Sequence, residues 1–311
     1  FIGTGGGYWT AYHLKLESAL LLYGFAHDPQ HLLKISPLKR QGFHHLSITL
    51  KKPTSLATIN ENAQWPLNPK LMTWISISNK TAWPPLVHKI APSYEKILAG
   101  PLPPFYQKVV HQAKKQKSII DQTNLITASL QNNIQYLGSW RSIKGYFIPR
   151  PLTTIAQSGY GDCKEYAVLT VKMLRMLGYQ AHVALVFRGY NYQAPYLLPG
   201  LNHFNHAIVH VITPHGHVLW IDPTNNVSGA GLIFRDIENR MSLVLNDKKP
   251  SYEKIPAVKP QDAVSIYEVN KTIYHHHLQQ DLQAYFKGLQ KKRRVSVVGT
   301  RWNANDVLDV L

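Results

Sequence analysis

Few residues in this chain are of a type and spacing that could do chemistry. The segment Gly161-Asp162-Cys163-Lys164-Glu165 holds its one cysteine. Asp162 is a natural N-cap, and Glu165, three residues on, can bond back as in a capping box, so this spacing puts Cys163 in the first turn of a helix. Unpaired backbone N–H groups and the positive end of the helix dipole favour a thiolate there and could hold an oxyanion formed beside it. Taken alone, a lone cysteine is more often a small buried thiol than a nucleophile, because reactivity requires a partner base.

A base and a carboxylate follow downstream. His206 opens the run His206-Ala207-Ile208-Val209-His210-Val211, and Asp222 closes the run Val218-Leu219-Trp220-Ile221-Asp222. A turn through Pro214-His215-Gly216 separates them, which predicts antiparallel neighbours with Asp222 beside His206. A carboxylate so placed orients the imidazole while the other ring nitrogen faces the thiol. Among 16 histidines the nearest rivals are His203, in the preceding loop, and His210, farther along the same face. The plainer readings are a strand-edge histidine and a turn carboxylate before Pro223.

The elements that must position these residues can be read outward. Val168, Val171, Met173, Leu174 and Leu177 give the cysteine helix a broad apolar face, and Gly178 stops it. Residues 181–187, 206–212 and 218–221 are compact β-type runs. Upstream, Phe105, Val109 and Ala113 recur at helical spacing, as do Leu125, Ile126, Leu130, Ile134 and Leu137, with Gly138 as the stop. The proline-rich stretch 81–104 reads as a connection, and 139–160 as a loop. Leu46, Ile48 and Leu50 alternate with polar residues, and Leu71, Thr73, Ile75 and Ile77 face away from Met72 and Trp74, which predicts strands. Near the end, Val264, Ile266 and Tyr267 suggest a strand, and Leu278, Leu282, Tyr285 and Leu289 an amphipathic helix. The fold class expected is α+β: helices packed on an antiparallel sheet, preceded by a β-rich, sandwich-like part. The expected division is a β-rich domain over 1–80, the domain carrying Cys163 over 81–247, and an α/β extension over 248–311.

Composition sets the bounds. The 311 residues are 44% apolar, enough for a sizeable core, and one cysteine excludes an intramolecular disulfide and every Cys-rich zinc pattern. No apolar run is long enough to span a membrane as a helix. Against 17 acidic residues stand 34 Lys and Arg, a net +17 that attracts polyanions such as an anionic surface or envelope polymer. No nucleic-acid-binding motif accompanies that charge; its densest cluster, Lys291-Lys292-Arg293-Arg294, is the feature a polyanion reading would rest on. Gly3-Thr4-Gly5-Gly6-Gly7 lacks the Gly-Lys-Ser/Thr of a phosphate loop. His275-His276-His277 are consecutive and point in different directions, so no metal is assigned.

Four segments together carry a resemblance. G-D-C-K-E at the head of a helix, L-R-M-L-G-Y-Q-A at its end, then N-H-A-I-V-H-V and W-I-D-P-T, resemble in consecutive order the transglutaminase-like superfamily, a papain-like cysteine fold, over about residues 100 to 247. The resemblance implies Cys163 as nucleophile, His206 as base and Asp222 as the orienting carboxylate. It implies thiol-dependent acyl transfer or amide hydrolysis on a protein or peptide substrate, with no cofactor. Many members add an oxyanion donor from an upstream aromatic or amide side chain; Tyr136, Gln135 and Trp140 are the candidates, and core packing explains each as well. The β-rich part, with Tyr146, Pro149, Arg150 and Pro151 ahead of the cysteine, is similar to bacterial proteins in which a β-sandwich precedes such a core. These are mostly exported, so a periplasmic or extracellular location is implied; with Phe at position 1, a signal peptide would lie outside this sequence. The rival from another class is an idle fold of this kind kept as a binding module for an anionic or envelope partner.

Overall fold

In the computed structural model the residues described are 8–9, 13–36, 42–51, 54–55, 73–138, 147–189, 198–225, 233, 236–257, 265–274, 277–286 and 293–297. The N-terminal alternation forms strands. β1 (Tyr8–Trp9) pairs with β5 (Thr54–Ser55), and β2 (His13–His27), β3 (Leu33–Ser36), β4 (Phe43–Leu50) and β6 (Trp74–Ser78) form an antiparallel sheet in the order β3-β4-β2-β6. Phe43, Leu46 and Ile48 are buried with Leu32 and Leu33, and Ile75 and Ile77 pack against them. Trp74 and Ser76 are also buried, so the described part of the strand read around Leu71–Ile77 uses both faces, while Leu71 and Met72 lie outside the described residues. Two hydrogen bonds tie β6 to the segment that leads to His206: Ser78 Oγ donates to the Pro199 carbonyl (2.6 Å), and the Leu198 N–H donates to Ser76 Oγ (3.0 Å).

The proline-rich stretch read as a connection holds a helix, α1 (Pro84–Ala99). Pro84 and Pro85 occupy its first positions, where no N–H partner is needed. Pro92 lies inside it on the exposed side, so the carbonyl it leaves unpaired can be solvated. Val87, Ile90, Ala91, Tyr94 and Leu98 are buried at helical spacing, and that burial outweighs the proline signal. Next come α2 (Pro104–Ala113) and α3 (Ile119–Asn133), the latter capped by Ser118 Oγ, which accepts from the Asp121 N–H at 3.1 Å. α3 stops at Asn133, before the expected Gly138, because Gln135–Tyr136 extend as β7 to pair in parallel with β8 (Tyr160–Gly161). The expected loop 139–160 includes α4 (Leu152–Ser158), begun after Pro151 and ended by Gly159 in the left-handed region (φ 67°).

α5 (Cys163–Met176) is the central helix: every residue from Cys163 to Val171 is buried, as are Met173 and Leu174. It packs on the antiparallel sheet β11-β10-β9-β12-β13, made of β9 (Gln180–Val186), β10 (His206–Ile212), β11 (Val218–Ile221), β12 (Met241–Val244) and β13 (Ser251–Lys254). The two-residue period divides that sheet cleanly. Val183, Leu185, Ala207, Val209 and Val211 join the helices in one core, while Ala184, Val186, Ile208, Trp220 and Val244 form a second on the other side. Each large apolar side chain so buried contributes roughly 1.5–3 kcal/mol. Mixed helix and antiparallel sheet, preceded by β structure, is the α+β class expected.

Beyond 257 the strand expected around Ile266 and Tyr267 forms, but the helix expected after it does not. β14 (Ser265–Tyr274), β15 (His277–Phe286) and β16 (Arg293–Val297) form a three-stranded antiparallel sheet, so the stretch read as an amphipathic helix at Leu278–Tyr285 is a strand. Its spacing of four and three fits a helix, but ten consecutive positions pair with β14, from Ser265↔Phe286 to Tyr274↔His277. Ladder pairing along both edges overrides a short helical period. Leu289, the Gly3–Gly7 segment, Trp140, Tyr146, His275, His276, Lys291 and Lys292 lie outside the described residues.

Candidate active site

The cysteine is set by its neighbours. The Asp162 carboxylate accepts from the backbone N–H of Lys164 (3.1 Å) and Glu165 (3.3 Å), and the Glu165 carboxylate accepts from the Asp162 N–H (3.3 Å), which completes the capping box expected from the sequence. Glu165 is also gripped by Arg150, whose Nε and Nη2 donate to its two oxygens at 2.6 and 2.9 Å. Gly161 leaves room for this arrangement: a Cβ there would meet Glu165 Oε2 at 3.1 Å, so the carboxylate would have to give way slightly. Lys164, fully buried, is ion-paired with Asp162, so both charges flanking the cysteine are matched internally. Burial raises the Asp162 carboxyl pKa although Lys164 opposes it.

His206 and Asp222 arrive from adjacent strands. β10 pairs with β11 through Val209↔Ile221 and with β9 through His206↔Val186, so His206 opens its strand just where Asp222 leaves the next. His206 Nε2 donates to Asp222 Oδ2 at 3.0 Å, and both residues are almost completely buried. Cys163 also acts on the ring of His206, favouring its protonated form. With Nε2 committed to the carboxylate, Nδ1 is the nitrogen left for the sulfur. Burial alone would lower the His206 pKa, but Asp222 and then Cys163 outweigh it and raise it to about 10. Asp222 moves the opposite way: burial pushes its carboxyl up, and His206, Arg188 and Thr224 pull it below the ordinary value.

The rival histidines are engaged elsewhere. His203 Nε2 bonds the Leu198 carbonyl at 2.8 Å. His210 packs edge-on against Trp220, and its nearest carboxylate, Glu253, is 3.6 Å away, beyond hydrogen-bond length.

Beside His206 lies a cleft of about 390 Å³ lined by Tyr136, Gly138, Arg188, Asn205, His206, Thr224 and Asn225. Cys163 is 3% exposed and lies behind this lining, acting on His206 rather than forming part of the cleft wall. Of the candidate oxyanion donors, Tyr136 lines this cleft, and its ring stands edge-on to Tyr166 at 5.6 Å. Burial, Cys163 and Asp222 all raise its phenol pKa, so it stays a protonated donor. Gln135 pairs through its backbone with Tyr160 and does not line the cleft.

Sequence reasoning missed two participants. Thr224 donates its hydroxyl to Asp222 Oδ1 at 2.7 Å and its N–H to the same oxygen at 3.1 Å; the Asp-Pro-Thr turn could have suggested it. Arg188, two residues past β9, donates from Nη1 to Asp222 Oδ2 at 3.2 Å and from Nε to Asp236 Oδ2 at 2.7 Å. Nη1 also lies 3.4 Å from His206 Nε2. Because that nitrogen is itself donating to Asp222, the two donors share one acceptor rather than bonding each other.

Known proteins bear on this arrangement. Residues 106–223, a range that encloses Cys163, His206 and Asp222, match the family model described as the transglutaminase-like superfamily. A Parabacteroides distasonis structure described as a "putative protease" is similar at 17% identity and a TM-score of 0.51, over 79% of this chain. The match covers 44% of that protein, so this chain spans under half its length. A "putative cysteine protease" from Cytophaga hutchinsonii aligns at 14% identity and a TM-score of 0.29, over 70% of this chain and 72% of its own. A structure described as "a TGase" aligns at 13% identity and a TM-score of 0.29, over 65% and 46%. No curated protein matches the sequence. The family match spans α2 to the Asp222 turn, so the core that carries Cys163, His206 and Asp222 is similar to the transglutaminase-like superfamily over residues 106–223.

Proposed function

We propose that the chain is a thiol-dependent acyltransferase or amide hydrolase acting on a protein or peptide, with Cys163 as nucleophile, His206 as acid and base, and Asp222 as the group that orients His206. The observation that carries this reading is one imidazole bonded through Nε2 to a buried carboxylate at 3.0 Å, with its protonated form favoured by both that carboxylate and the cysteine of a capped helix start.

With its pKa raised to about 10, His206 holds its proton at neutral pH, which supports a thiolate–imidazolium pair with Cys163. The thiolate attacks an amide carbonyl carbon; the C–S bond forms and the carbonyl π pair moves to oxygen. Backbone N–H groups at the start of α5 and the Tyr136 phenol are the donors for that oxyanion. The tetrahedral intermediate collapses, the C–N bond breaks, and His206 gives its proton to the leaving amine. Neutral His206 then takes a proton from water or from a second amine as it attacks the thioester. Water yields an acid; an amine yields a new amide. Thiolate and imidazolium are restored, and the cycle needs no cofactor.

The test is labelling of the intact chain with a thiol-reactive amide or ester probe, read by mass spectrometry. Labelling at Cys163 in the wild type and its loss in Cys163→Ala are expected. Labelling that survives in Cys163→Ala overturns the proposal, and a wild-type chain that takes no probe favours the binding-module reading instead.

A further inference from the structure

Arg188 joins the site from the side opposite Asp222. β9 and β11 flank β10, so His206 opens its strand between Val186 on one side and the Asp222 turn on the other. The guanidinium of Arg188 reaches across this gap to Asp222 Oδ2 (3.2 Å) and Thr224 Oγ1 (3.4 Å). Its Nε is held by Asp236 at 2.7 Å, so one planar fork spans two carboxylates from separate turns.

Its backbone is fixed as deliberately as its head. The Arg188 N–H donates to Asn205 Oδ1 at 2.6 Å, and Asn205 Nδ2 donates back to the Arg188 carbonyl at 2.8 Å. Asn205 immediately precedes His206, and its own N–H donates to the Val186 carbonyl at 3.2 Å. The residue that leads into the candidate base therefore sets the residue that braces the base's carboxylate.

We propose that Arg188 is a positioning residue that keeps Asp222 ionised and aimed at His206, with Asp236 as the anchor that keeps the guanidinium in place. The inference rests on the acyl-transfer reading and deepens it. A carboxylate buried with only an imidazole as partner would be free to turn and easy to protonate. Arg188 supplies a permanent charge, and Thr224 occupies the other oxygen, so neither carboxylate oxygen is left to rotate away. The charged and titratable groups around Asp222 are His206 from β10, Arg188 after β9, Tyr136 from β7 and Cys163 from α5. Removing the arginine takes away the fixed cation among them. Asp222 then protonates more readily, and the Cys163–His206 pair forms only at higher pH.

The test needs no substrate: the rate of Cys163 alkylation by iodoacetamide is followed from pH 4 to pH 9 in the full-length chain, with melting temperatures measured alongside. The wild type is expected to alkylate on an acidic plateau. Arg188→Gln should shift the midpoint of that limb upward by about one pH unit. Arg188→Lys, a single charge that cannot span both carboxylates, should shift it less, and Asp236→Asn should shift it in the same direction as Arg188→Gln. If Arg188→Gln does not fold, Arg188→Lys and Asp236→Asn carry the test. A wild-type midpoint in the variants that fold, even with a lowered melting temperature, overturns the positioning role and leaves the acyl-transfer reading standing. A wild type with no acidic plateau overturns both.

Discussion

Asp162 and Lys164, the chain neighbours of Cys163 on either side, are joined in an ion pair whose two side chains are 1% and 0% exposed. The same Asp162 carboxylate accepts from two N–H groups at the start of α5. One side chain thus caps the helix and neutralises the ammonium of the residue that immediately follows the cysteine. Asp162→Ala removes both services and strands a buried ammonium, so a loss of about 3–5 kcal/mol is expected from urea denaturation. Asp162→Ala combined with Lys164→Met should recover part of it, because no uncompensated charge remains. Equal loss in the single and double variants would assign the whole effect to the cap.

Asp222→Asn tests the orienting role. An amide cannot stabilise an imidazolium as a carboxylate does, and it can present either tautomer to the ring. A fall in kcat/KM of about a thousandfold or more is expected once a turnover substrate is in hand, with near-wild-type binding. The acidic limb of Cys163 alkylation should rise in pH as well, since both follow from the same lost charge.

Stability should carry the mark of His206. Its folded pKa of about 10 lies above its ordinary value of 6.5 because Asp222 and Cys163 outweigh burial. A group whose pKa is raised on folding contributes stability fully below its unfolded value and loses it as pH climbs through the folded one. The melting temperature should therefore decline between about pH 6.5 and pH 10, and the decline should be shallower in Asp222→Asn. An equal slope in both proteins would detach the effect from this pair.

How much of this was legible beforehand depends on the range of the interaction involved. The capping box around Cys163 is local, spanning Asp162 to Glu165, and the sequence spells it out. His206 and Asp222 could be brought together because one short turn separates their strands and the pairing period is fixed. Arg188 could not, since its partners Asp222 and Asp236 come from distant turns and no spacing rule links them. The misread helix at Pro84–Ala99 failed for another reason: proline content signals a break, but two prolines at a helix start cost nothing there. At Leu278–Tyr285 the apolar spacing favoured a helix, and only the long register with β14 decides for a strand.

Glu165 and Arg150 make the next test of the frame around the cysteine. The bidentate pair, at 2.6 and 2.9 Å, joins a carboxylate with no exposure to a guanidinium that is 14% exposed. Arg150→Met leaves the Glu165 charge buried and loosens the segment before α4, where Arg150 Nη2 also donates to the Tyr160 carbonyl at 2.7 Å. A loss of about 3–5 kcal/mol is expected by chemical denaturation. Glu165→Gln keeps the shape and one acceptor and should cost less. Were Arg150→Met as stable as the wild type, the pair would be a surface contact with no part in holding the helix start.

Tyr136→Phe separates the oxyanion role from a wall of the cleft. The phenol lines the cleft with His206, and burial together with Cys163 and Asp222 keeps it protonated, so it is a donor throughout the working pH range. The substitution retains the ring and its edge-on contact with Tyr166 at 5.6 Å while removing the hydroxyl alone. A donor aimed at charge that exists only in the transition state lowers kcat when removed and leaves KM nearly unchanged, by about a hundredfold for one oxyanion contact. Alkylation of Cys163 by iodoacetamide forms no oxyanion, so its rate and pH profile should be those of the wild type. A variant that instead raises KM at constant kcat would make Tyr136 a binding surface and leave the backbone N–H groups of α5 to hold the oxyanion unaided.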